Sequence, residues 1–202
     1  MTTDALRLKL LGVGAMASPK YAPAGLLVLH AAGNVMLDGG PEAEPEPPLA
    51  AWLVTDLRGE LIAQIRRLAR AQGLEPAVQA YEANGLAIIP HPVAHTSHPT
   101  WGYLLSWRGR SAAWAPEFSE FPGWASGVDL MFADAAGWRR PIRFRGGVGG
   151  HGAVLETSER ARRQGVRRLV LAHIGRPTIR ALEAGEQLPY GEVGRERSDY
   201  ML

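Results

Sequence analysis

Residues 149–174 open on Gly149-Gly150-His151-Gly152, continue A-V-L-E-T-S-E-R-A-R-R-Q-G, and close on V-R-R-L-V-L-A-H-I. The middle of this stretch predicts a helix over residues 152–164 with arginines on its outer side, and residues 166–172 predict a buried strand that delivers His173. His173 follows His151 by 22 positions. That is about what one helix and one strand need to bring the chain back to the same edge of a sheet. The two imidazoles are thereby expected to share an edge.

Upstream the pattern is mostly strands in series. Residues 6–13, 51–55, 86–89, 101–107, 111–114 and 128–133 read as strands, and residues 25–32 and 34–37 as a hairpin. Residues 41–48, P-E-A-E-P-E-P-P, form a stiff acidic loop. Residues 60–72 carry a one-sided stripe of Leu61, Ile62, Ile65, Leu68 and Ala69, which predicts a helix closed by Gly73. Early strands followed by a late strand–helix–strand unit suggest α/β layers around stacked sheets.

The bulk properties set limits. A chain of 202 residues suits one sizeable domain, residues 1–202, and no apolar run is long enough to cross a bilayer. No charged segment followed by an apolar core opens the chain, so a cytoplasmic protein is expected. The absence of cysteine excludes disulfides and thiolate metal sites, leaving His, Asp and Glu as ligands. A net charge of +2 gives no general signature for polyanions, and a nucleic-acid partner stays open. Arginines cluster at Arg66-Arg67-Arg70, Arg139-Arg140-Arg143-Arg145 and Arg160-Arg162-Arg163-Arg167-Arg168, and such runs are mostly solvated faces. The run from Arg145 through Gly149 and Gly150 leads into a helix N-terminus, where free N–H groups favour an anion such as phosphate; a flexible crossover loop is the competing reading.

Acids and imidazoles fall just after the apolar strands: Asp38, His95, Glu117, Asp134 and His173. A rigid scaffold presents its chemistry at such positions. This set resembles the metallo-β-lactamase fold superfamily, in its ribonuclease Z and phosphodiesterase-like branch, over nearly the whole chain. L-K-L-L-G-V-G-A is similar to the opening strand and glycine turn, N-V-M-L-D-G-G to the first acidic motif (Asp38), and V-A-H-T…W-G-Y-L-L to the third motif (His95). W-A-P-E-F is similar to the fourth motif, with Glu117 for the bridging aspartate. D-L-M-F-A-D-A-A, G-G-H-G and L-V-L-A-H-I resemble that branch's acid and paired histidines, Asp134, His151 and His173. The resemblance implies an αββα four-layer sandwich, proton transfer by His151 backed by Asp134, and zinc ligation by His173.

One element departs from the pattern. The family's H-x-H-x-D-H motif follows a strand ending in threonine; here A-W-L-V-T is followed by D-L-R-G-E-L, so Asp56, Arg58 and Leu61 replace the histidines and Glu60 the aspartate. Leucine supplies no ligand and arginine repels a dication, so the usual dinuclear zinc site cannot assemble. Three alternatives stand. A single zinc, manganese or iron ion is held by some of Asp38, Asp56, His95, Glu117 and His173. Alternatively no metal binds, and Arg58 takes its place by pairing with Glu117 or Asp38. Or Asp134 and His151 act without metal on an anion held by arginine. The expected function is a hydrolase-like protein with lost or altered metal-dependent activity that binds a small phosphoester or ester ligand or a partner, a second copy included. The alternative is an active mononuclear phosphodiesterase or esterase using Asp134 and His151. His98, three residues beyond His95, is expected to be incidental.

Overall fold

The computed structural model describes residues 5–146 and 148–202. In chain order its elements are β1 (Arg7–Gly12), β2 (Gly25–Leu29), β3 (Asn34–Asp38), β4 (Leu49–Leu53), α1 (Ile62–Arg70), β5 (Tyr81–Ala83), β6 (Leu86–Val93), β7 (Thr100–Trp107) and β8 (Arg110–Ala115). They continue with β9 (Leu130–Ala135), β10 (Ile142–Arg143), β11 (Gly150–His151), α2 (Val154–Arg163), β12 (Leu169–Ile174), α3 (Arg176–Glu183), β13 (Glu192–Val193) and β14 (Ser198–Met201). One sheet has the order β14-β1-β2-β3-β4 and the other β13-β12-β9-β8-β7-β6-β5, with β10 and β11 forming a small ribbon.

Period-two alternation decides how the layers stack. In β3, Val35 and Leu37 enter the core between the sheets, while Met36 joins a second cluster on the outer face. Leu26 and Val28 against Leu27, and Leu53 against Trp52 and Val54, split the same way. The outer cluster is closed by Ile65 and Ala69 of α1, the apolar stripe read from the sequence. Across the sandwich, α2 packs on β9, with Val154 and Ala161 buried. The result is helix, sheet, sheet, helix, as expected, with β1 to β4 feeding two clusters.

The second sheet has two halves. From β5 to β8 it is an antiparallel meander, whereas β8, β9, β12 and β13 run parallel. Parallel strands point their carboxyl ends the same way, so the segments leaving β8, β9 and β12 meet at one rim, the place where open sheets present ligands. Glu117 follows β8, and Asp134 and His173 lie at the carboxyl ends of β9 and β12.

Candidate active site

Two site residues sit on backbone that L-residues rarely adopt. Asp38, ending β3, has φ +52°, and His173, in β12, has φ +57°. His173 lies where the β12–β9 register breaks, between Ala172 and Ile174. Such a break re-aims one side chain out of the pleat, here toward the rim. Each such conformation costs on the order of 1–3 kcal/mol and persists only where the surroundings dictate it.

The surroundings of Asp38 are clear. Its Oδ1 accepts from the Thr55 N–H (2.7 Å) and hydroxyl (3.0 Å), and its Oδ2 accepts from Trp114 Nε1 (2.7 Å). Its carbonyl accepts from Trp52 Nε1 at 2.8 Å. Burial pushes the carboxyl up to about 7 against the pull of those donors. Asp38 thus ties β3 to β8 in the opposite sheet, and its oxygens are spent on protein donors.

Asp134 is buried and receives three donors. Oδ1 accepts from Ala136 N (2.9 Å); Oδ2 accepts from Phe118 N (2.9 Å) and contacts His151 Nδ1 at 2.7 Å. A carboxylate that only accepts places the imidazole proton on Nδ1 and turns Nε2 outward. Burial alone would lower the His151 pKa, but the charge and hydrogen bond of Asp134, helped by Glu117 and Glu60, hold it above the ordinary value. His151 stacks on His173 (5.2 Å between centroids) and lies 4.7 Å from the His95 ring. Phe144 stands edge-on to both His95 and His151.

Glu117 faces the other two imidazoles, with Oε2 3.5 Å from His95 Nε2 and Oε1 3.3 Å from His173 Nε2. Burial drives the His173 pKa down, against the opposing pull of Glu117. His95 is the more telling case. Its Nδ1 lies 2.9 Å from the carbonyl of Gly150, which can only accept, so Nδ1 carries the proton. In the neutral ring, Nε2 then points a bare lone pair at a carboxylate. A proton or a cation between them relieves that opposition.

The segment replacing the family's histidine motif departs from expectation. Arg58 is exposed, and among the described residues it pairs with neither Glu117 nor Asp38; its backbone N–H donates to Asp56 Oδ1 at 2.7 Å. The guanidinium therefore does not fill a metal's place beside those carboxylates. Asp56 pairs instead with His98, whose Nε2 is 2.9 Å from Oδ2. His98 is thus part of the site wall, and the H-x-x-H spacing was the available signal. The expected anion cradle at Arg145, Gly149 and Gly150 also differs. The Gly150 N–H donates to the His95 carbonyl, and Val154 and Leu155 at the start of α2 donate to the carbonyls of Gly137 and Trp138. Those donors are consumed by backbone, and Arg145 does not line the cavity. Gly149 has a different job: at φ +77°, a Cβ there would lie 1.8 Å from the His95 carbonyl oxygen. The loop presses directly on His95.

All of this surrounds a cavity of about 550 Å³ lined by Asp38, Asp56, His95, His98, Glu117, His151 and His173, with Phe144, Arg58 and Arg176 on its walls. Among the described residues, no group of three or more His, Asp or Glu side chains is already arranged to hold a metal ion. The chemistry of the donors fits a single ion better than two. His95, Glu117 and His173 are uncommitted, whereas Asp38 and Asp56 are taken.

Solved structures share this architecture. The metallo-β-lactamase fold protein YhfI from Bacillus subtilis superposes with a TM-score of 0.76 over 98% of this chain and 100% of its own, at 13% identity. The fold is that of the metallo-β-lactamases. A diphosphatase of the PhnP family shares it at TM-score 0.75 and 18% identity, over 98% of this chain and 97% of its own. Human tRNase Z, short form, does so at 0.67 and 10% identity, over 96% and 98%. No family model and no curated protein matches the chain by sequence. The αββα layering of the metallo-β-lactamase fold agrees with the sequence reading.

Proposed function

We propose that the chain is a hydrolase acting on a phosphoester or ester bond at this cavity, with a single divalent ion where two-metal relatives of the fold hold a pair. The observation that carries the reading is the Asp134–His151 dyad, 2.7 Å apart, with the imidazole Nε2 turned outward. Asp134 fixes the tautomer and stabilises the imidazolium, and His151 delivers a proton from Nε2 to the leaving oxygen. His95, Glu117 and His173 would hold the ion (zinc, manganese or iron), which when bound would supply Lewis acidity and an activated water. Glu117 accepts no protein hydrogen bond among the described residues, so it is the member free to turn toward an ion. Phe144, edge-on to two of the imidazoles, lines the same cavity.

Elemental analysis of protein purified without chelator tests this directly. About one equivalent of a transition metal is expected, lost in His173→Ala and kept in His98→Ala. Less than about a tenth of an equivalent overturns the metal-dependent reading. A second reading, a pocket that binds such a ligand without hydrolysing it, is favoured by the Asp56–His98 pair standing where metal-binding side chains would be expected. Metal-loaded protein that binds 4-nitrophenyl phosphodiesters or esters without turnover would establish it.

A further inference from the structure

Resting on the hydrolase reading, the inference concerns what kind of molecule the cavity admits. Five large hydrophobic side chains are exposed among the described residues: Met16, Leu57, Phe144, Val148 and Met201. Met16 and Phe144 line the cavity; Leu57 lies between the lining residues Asp56 and Arg58, and Val148 adjoins Gly149, which packs on His95. Only Met201, on β14, is elsewhere. Scattered single apolar residues need no explanation, but two that line one cavity, with two more next in sequence to residues on or against its wall, do. Inside, Leu61, Ile62, Ile65, Pro23 and Ala24 continue the apolar wall.

The charges at the mouth are few. Arg58 and Arg176 come from different segments, both are exposed, and neither has an ion-pair partner among the described residues. Glu60 shares the wall with Arg58. Deeper in, Asp38 is held by Thr55 and Trp114, Asp56 pairs with His98 and Glu117 faces His95 and His173, so Arg58 and Arg176 meet only Glu60 at the exposed end. That suits a single anionic group and falls short of the basic stripe that a polynucleotide backbone needs. Six arginines of the clusters are paired, Arg66 and Arg70 with Glu75, Arg139 with Glu186, Arg162 with Glu159, Arg167 with Asp129 and Arg168 with Glu192; Arg143 and Arg145 flank Phe144, and none of the cluster arginines lines the cavity itself.

We propose that the substrate is an amphiphile, a phosphoester of a hydrophobic alcohol, whose anionic head sits between the histidine cluster and the Arg58 and Arg176 guanidiniums while its apolar arm lies on Met16, Leu57, Phe144 and Val148. Nucleic acid is the rejected alternative. Binding of methyl, butyl and hexyl phosphate, measured by calorimetry below any micelle concentration, tests it without requiring turnover. Affinity should rise about threefold per methylene while the arm stays on the rim. Arg58→Gln with Arg176→Gln should weaken hexyl phosphate about tenfold, and Phe144→Ser with Met16→Gln should flatten the chain-length dependence. Equal affinity for the three phosphates overturns the proposal, as does their failure to bind. So does a single-stranded oligonucleotide that binds more tightly than hexyl phosphate with a steep salt dependence. Hexyl phosphate that binds as expected and is never hydrolysed, while its chain length still counts, refutes the hydrolase reading and leaves the ligand class standing.

Discussion

Replacing Asp134 by asparagine changes one oxygen to an NH2 group in a buried position that receives three donors. The best orientation leaves the amide oxygen facing Phe118 N and His151 Nδ1 and turns the NH2 toward the Ala136 N–H, donor against donor. An unsatisfied buried donor costs about 1–3 kcal/mol, and weakening the charge-assisted bond to His151 costs about 1 more. Asp134→Asn should therefore lose roughly 2–4 kcal/mol in urea unfolding of chelator-treated protein, with an unchanged m-value. His151→Ala should lose less, since Asp134 keeps two backbone donors. The double variant should reveal a coupling of about 1–2 kcal/mol between them. A loss below about 0.5 kcal/mol for Asp134→Asn, or no coupling, would refute the claim that the dyad is a tight buried unit.

Other expectations follow from the same geometry. The Asp38 carboxyl, raised to about 7, binds its proton more tightly folded than unfolded. Its ionisation therefore costs stability as pH rises from about 4 toward 7, by up to about 1.4 kcal/mol per pH unit, and urea titrations of wild type should show that contribution to the slope and Asp38→Asn should lack it. Gly149→Ala should lose at least about 2 kcal/mol and shift the His95 ring resonances, because the new methyl meets the His95 carbonyl and the backbone is at positive φ. Ile65→Ala, which empties the contact of α1 with the outer sheet face, should cost about 2–4 kcal/mol in the same assay.

The layering was legible because apolar alternation in β1 to β4 and the one-sided stripe of α1 are local patterns that tertiary packing merely uses. What escaped was set by neighbours. Residues 86–89 read as a strand, yet β6 continues through Pro90 and Pro92 to Val93. Its partner β5 ends opposite Leu86, Ala87 and Ile88, so beyond them β6 is an edge where a missing N–H on the open side is harmless. The eight-residue α3, starting R-P-T, offers too short a period to recognise. At the site, Asp134 and His173 drew notice at the ends of apolar runs, and His151 by the G-G-H-G motif 22 positions ahead of His173. The environment of Arg58 was not, because a guanidinium's choice of partner depends on which carboxylates are already saturated. The glycine loop misled for the same reason: its sequence showed donors but could not show that backbone carbonyls would claim them.

The Asp38 junction with Thr55, Trp52 and Trp114 has a practical consequence. It clamps the floor beneath residues 56–61 from both sheets, so that loop is a replaceable part mounted on a fixed socket. Grafting imidazoles through Asp56→His, Arg58→His and Leu61→His, with Glu60→Asp, would alter side chains above the clamp and none within it. The chain is thereby a ready recipient for a transplanted two-ion centre, with its floor left as it stands.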